Sequence, residues 1–138
     1  MAAYTKYTAA VESLVEGSNS GTDVWKVALA LTTNIADTTF VAGTTDLVTG
    51  AGYTQGGNTC TTTTSAQSAG TYKLVLGNPA TWTASGAGFT FRYAVLYNST
   101  TGIPFGFWDY GSNVVMNGTN ADTFIVTLDA TNGVFTVA

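Results

Sequence analysis

The sequence predicts an all-β fold: a jelly-roll-like antiparallel β-sandwich preceded by a short N-terminal helix or arm. Three observations predict it. Thr supplies about a fifth of the residues and aromatic residues 12%, both strand-favouring. The 16 Gly against 2 Pro furnish many turns. From Val24 onward, apolar residues recur with period 2 in a series of short runs separated by turn residues.

The N-terminal segment, residues 1–16, is the exception. Tyr7, Ala10, Val11, Leu14 and Val15 fall at helical spacing, and Gly17 follows as a stop. This gives a helix or arm over 1–16 and one β-sandwich domain over 17–138, joined by the turn-rich link from Ser18 to Gly21.

The first strand is VWKVALAL, with Trp25, Val27, Leu29 and Leu31 on one face and Lys26 on the other. Residues 32–57 are rich in Thr, Gly and Asp with a short apolar patch at Leu47 and Val48, too long for a plain loop, and one short strand is expected within them. GYTQGG at 52–57 reads as a turn before a Thr strand over 58–64. Tyr72, Leu74 and Leu76 alternate in TYKLVL, and Trp82 sits in the short strand TWTAS. Phe89, Phe91, Tyr93, Val95 and Tyr97 alternate through the longest clear strand. A strand over 104–110 follows, then a turn over 111–118 containing VVM. Phe124, Val126 and Leu128 alternate in TFIVTL, and Asn132–Gly133 signals a hairpin leading to the terminal VFTV. About eight strands with frequent turns suit two packed sheets, and a jelly roll manages their exposed edges. The expected core is Trp25, Val27, Leu29, Leu74, Phe91, Tyr93, Val95, Phe124 and Val126.

Charge limits the function classes. Charged residues are only 9% of the 138, the net charge is −4, and the cations are Lys6, Lys26, Lys73 and Arg92. No basic stripe can be built from them, which argues against nucleic acid and against an anionic membrane surface. No apolar run approaches a membrane span, and Met1 to Lys6 show no secretory pattern. A surface this poor in charge gives copies little mutual repulsion and suits coverage by partners.

Catalytic equipment is sparse. The absence of His removes imidazole bases, Ser-His-Asp and Cys-His arrangements and ordinary zinc sites. Cys60, the lone cysteine, forms no intrachain disulfide and reads as a small buried side chain. Glu12 and Glu16 lie in the N-terminal segment. Asp23, Asp37, Asp46, Asp122 and Asp129 lie at turns or strand ends, where they cap local N–H groups. Asp109, set between aromatics in FGFWDYG, is expected to fix the following turn or to pair with Arg92. No catalytic, cofactor-binding or metal-binding residue is assigned, and no cofactor is expected. Trp25, Trp82, Trp108 and Tyr110 would make a sugar-stacking platform only if exposed together; at strand spacing they read as core.

The blocks KYTAAVESLVEG, DVWKVALALTTN, GAGYTQGGNT, GTYKLVL, TWTAS, FRYAVLYN, FWDYGS and FIVTLDATNGVFTVA follow one another over nearly the whole chain. The series resembles a group of small structural proteins of tailed bacteriophages. The resemblance implies a non-enzymatic capsid decoration, or cement, protein on the virion surface, assembled in the bacterial cytoplasm. It implies the major capsid protein as partner and a homotrimer as the oligomer. A tail, neck or fibre component, and a virion-surface carbohydrate-binding module, remain the alternatives. Residues 1–16 are expected against a neighbouring copy or the shell; the rival is a helix closing one end of its own sandwich.

Overall fold

The computed structural model describes residues 2–17 and 19–138; Met1, Ser18 and the side chains of Val15 and Glu16 lie outside the described residues. The fold is all-β and antiparallel, with ten strands and one helix among the described residues. In chain order these are β1 (Tyr4–Lys6), α1 (Thr8–Glu16), β2 (Trp25–Ala30), β3 (Asn58–Cys60), β4 (Thr62–Ser68) and β5 (Thr71–Leu76). They continue with β6 (Trp82–Thr83), β7 (Phe89–Asn98), β8 (Ile103–Met116), β9 (Thr123–Phe124) and β10 (Phe135–Val137). A five-stranded sheet runs β1-β8-β7-β2-β3, a three-stranded one β10-β5-β4, and β6 pairs with β9. This order makes an antiparallel sandwich and leaves a jelly-roll winding unestablished.

Residues directly across an antiparallel ladder share a face. Trp25, Val27 and Leu29 stand across from Asn98, Leu96 and Ala94. This face meets the three-stranded sheet: Trp25 packs edge-on to Phe105 at 4.7 Å and against Phe135 of β10 at 6.0 Å. Its indole N–H donates to the Ser20 carbonyl at 2.9 Å, so burial leaves no unmet donor there. Ala28 and Ala30 stand across from Val95 and Tyr93 on the opposite face. That face is covered too. Phe40 stacks on Tyr97 at 3.7 Å, and Tyr7, at the start of α1, packs edge-on to Phe107 at 5.2 Å.

Burial on both faces corrects the single-faced core expected from alternation. Val95 is buried, but on the face away from Trp25, Val27 and Leu29. Tyr93 and Phe124 are half-buried. The other expected members, Leu74, Phe91 and Val126 among them, are buried. Each fully buried large apolar side chain contributes about 1.5–3 kcal/mol.

Several element boundaries differ from expectation. Residues 31–57 contain no strand beyond an isolated Gly50–Tyr53 bridge, so the short strand expected within them does not form. The Thr run divides: β3 pairs with β2, whereas β4 crosses to the second sheet beside β5. The expected turn around VVM is strand, the outer half of β8, with a register shift absorbing residues 110–113 and Gly111 at φ 80. TFIVTL pairs only through Thr123 and Phe124. Its burial still alternates, Val126 and Leu128 inward, while the Leu128 N–H is met by Asn78 Oδ1 at 2.7 Å instead of a ladder. The Asn132–Gly133 turn is present, with Gly133 at φ 81, but it delivers β10 to β5 and forms no hairpin with the preceding segment.

The N-terminal segment packs on its own chain. β1 extends the five-stranded sheet beside β8, and Tyr7 and Ala10 are fully buried. Tyr7 N–H donates to the Phe105 carbonyl at 2.9 Å. Leu14 meets Tyr72 and Val137 around one hollow at the end of the second sheet.

Candidate functional site

The acidic side chains come first, because acid–base chemistry would need them. Asp23 accepts from Asn19 N–H at 3.0 Å and from the Asn98 amide at 2.6 Å. Asp37 accepts from Asn34 N–H, Asp122 from Asn117 N–H, and Asp129 from both Thr131 and Asn132 N–H groups. Each fixes a turn, as expected of Asp at such positions. The backbone and side-chain bonds of Asn132, then the bond from Thr131, hold the Asp129 carboxyl below the usual range.

Asp109 does both things expected of it. Its two oxygens accept from Arg92 at 2.8 and 2.9 Å, and Oδ1 also accepts from Gly111 N–H at 2.8 Å. The Arg92 hydrogen bonds, followed by Gly111, push its pKa down. The guanidinium also lies over the Tyr93 ring, 5.1 Å from its centre. A carboxyl held ionised by a bidentate cation is a poor proton donor. Among the described residues no group of three or more His, Cys, Asp or Glu could hold a metal. Cys60 is buried, and burial pushes its thiol up to about 12.

The four aromatics of the possible sugar platform are not exposed together. Trp25 and Trp82 are core. Half-buried Trp108 packs on Tyr4 at 4.9 Å, while Tyr110 packs on Phe124 at 5.5 Å.

What remains is a patch where the 47–51 loop meets β7, its lining without charged side chains. Val115 and Val48 are the most exposed large apolar side chains described, at 70% and 68%. Val115 stands directly across from Thr90, and Thr90 lines a hollow of about 260 Å³ with Leu47, Val48 and Phe89. Residues 47–72, 84–91 and 110–121 carry no charged side chain. Exposed apolar groups gathered without charge mark an interaction surface, whereas single exposed ones do not.

The sequence positions this surface through one carboxylate. Asp46 is buried and accepts from Gly43 N–H at 2.6 Å, Gly56 N–H at 2.6 Å and the Tyr53 hydroxyl at 2.5 Å. That hydroxyl in turn accepts from Leu29 N–H at 3.1 Å, and Leu47 N–H donates to the Leu29 carbonyl at 2.9 Å. Burial, and then the bond to Asp46, push the Tyr53 hydroxyl well above its ordinary pKa. The loop is thereby docked to the free edge of β2, and Val48 projects from a fixed base. The sequence shows the Leu47–Val48 patch, within a segment where one short strand is expected, and places Val115 in a turn. The signal available was the absence of charge around both. Compared with family models, curated proteins and solved structures, the chain matches none.

Proposed function

We propose that this chain is a non-enzymatic structural protein of a bacteriophage virion, of the capsid decoration type, binding the major capsid protein shell. The observation that carries this reading is the patch of uncharged surface around Val48, Phe89 and Val115. Val48 stands on a loop tied down by Asp46 and Val115 on the strand β8, so docking costs little ordering entropy. Several such contacts to neighbouring shell subunits, each modest, would add through avidity. The low overall charge and the ordered series of sequence blocks support the same reading, as does the engagement of the turn-bound carboxylates in local hydrogen bonds. The resemblance further implies trimers on the shell.

A tail, neck or fibre location is the second structural reading. Cryo-electron microscopy of particles carrying the protein tests the two: density over the shell is expected, and density restricted to the tail would overturn the decoration role. Val115→Asp should reduce binding to empty shells without changing the melting temperature. A glycan array tests the carbohydrate reading, which the burial of Trp25 and Trp82 and the half-burial of Trp108 and Tyr110 disfavour.

A further inference from the structure

Sheet edges expose unpaired backbone N–H and C=O groups, and proteins blunt them with charge, proline, bulges, brevity or cover. β1, β3 and β10 are three residues each. The outer half of β8 runs past β1, but the register shift between Phe91 and Tyr93 breaks its line. β4 differs from all of these. It is seven residues long, it ends the order β10-β5-β4, and every residue after Thr62 is exposed. It holds no charge and no proline. Its one irregularity lies between Thr62 and Thr64, and Thr64–Ser68 pairs regularly with β5. Among the described residues nothing but β5 pairs with its backbone.

We infer that β4 is a self-association edge, pairing antiparallel with β4 of a second copy about a two-fold axis at Ala66. Two features select a second copy as the occupant. The first is electrostatic: the chain carries −4, yet residues 47–72 carry nothing, so this is where two identical anionic molecules approach without repulsion. The second is self-complementarity. A two-fold at Ala66 sets Thr64 opposite Ser68 and Ser65 opposite Gln67, uncharged side chains that do not repel across the axis; Ser65 Oγ already bonds the Tyr72 hydroxyl and Gln67 Oε1 accepts from Gly70 N–H within the chain, so the new bonds are those of the backbone. The two three-stranded sheets become one of six strands across the pair. The contact is independent of the virion reading and of the Val48–Val115 patch. A threefold cluster would need a different surface, because this one closes on itself in pairs.

Ala66→Glu separates fold from association. Ala66 stands across from Lys73 within the chain, so the new carboxylate gains an attractive cross-strand neighbour there. At the two-fold axis it meets its own copy. Sedimentation velocity of the full chain should show a concentration-dependent monomer–dimer equilibrium, weakened about ten-fold or more by Ala66→Glu. Mixing Ala66→Glu with Ala66→Lys should restore the pair. A wild-type chain monomeric at high concentration, or an Ala66→Glu chain that associates undiminished, overturns the inference; the first result would leave the edge to an extended segment of another protein. Hydrogen exchange of the wild-type chain serves if the variants do not fold: Thr64–Ser68 amides should slow as concentration rises, and rates independent of concentration count against it.

Discussion

The guanidinium of Arg92 donates two hydrogen bonds, of 2.8 and 2.9 Å, to the two carboxylate oxygens of Asp109 across β7 and β8. The pair is about a third exposed, so water screens it. Its pH signature is still definite. The Asp109 pKa is depressed by Arg92 and Gly111, so its contribution is present above the unfolded carboxylate range near about 4 and is lost as pH falls through the folded value. Asp109→Asn should therefore melt below the wild-type chain at pH 7, with the gap closing in acid. A gap that stays constant through the acid range would mean that the charge contributes nothing.

Asp46 meets three donors in a buried site. Asp46→Ala leaves two N–H groups and a hydroxyl without their acceptor and should cost about 3 kcal/mol or more in denaturant melts. Hydrogen exchange should show the loss concentrated at Gly43 and Gly56. A cost under about 0.5 kcal/mol would place those donors in water.

Phe91 is fully buried, 4.6 Å from Phe124 and 5.9 Å from Tyr110. Phe91→Ala should cost about 3–5 kcal/mol through lost burial and the cavity left behind. An unchanged denaturation midpoint would contradict its burial against Phe124 of β9.

Cys60 stands across from Trp25 and is buried, with its thiol pushed up to about 12. A thiol-specific reagent at pH 8 should label it only as fast as the chain opens, and labelling should accelerate with denaturant. The raised folded value also means that this thiol's contribution to stability is complete below the unfolded pKa near about 8.5 and declines as pH rises from there toward the folded value. Rapid labelling without denaturant would refute the burial.

How much of this was legible in residues alone follows from where the hydrogen bonds go. β2, β5 and β7 were readable because apolar residues alternate and the backbone pairs along the same run. Residues 124–128 alternate just as well, yet Asn78 and not a neighbouring strand meets Leu128; alternation reports burial, and pairing needs a partner that sequence does not name. The 31–57 segment hid its order because a single carboxylate, Asp46, replaces a ladder. Val95 is core as expected, yet its place on the face away from Trp25 was not legible, because alternation along one strand says nothing of its register against β2. For the interaction surface, composition announced the scarcity of charge, but only the fold brings Val48 to the hollow that Thr90 lines and sets Val115 across from Thr90.

The position of β1 has a consequence in time. Its partners are Gly106, Phe107 and Trp108, so its ladder closes across about 100 residues, an entropic cost met only after the intervening chain has collapsed. β7 and β8 meet through a tight turn at Asn98–Gly102 and are free to pair early. Refolding should therefore be slow for the chain's length, on the order of milliseconds to seconds. Its final event is the arrival of β1, which completes the sheet that β8, β7, β2 and β3 have already built.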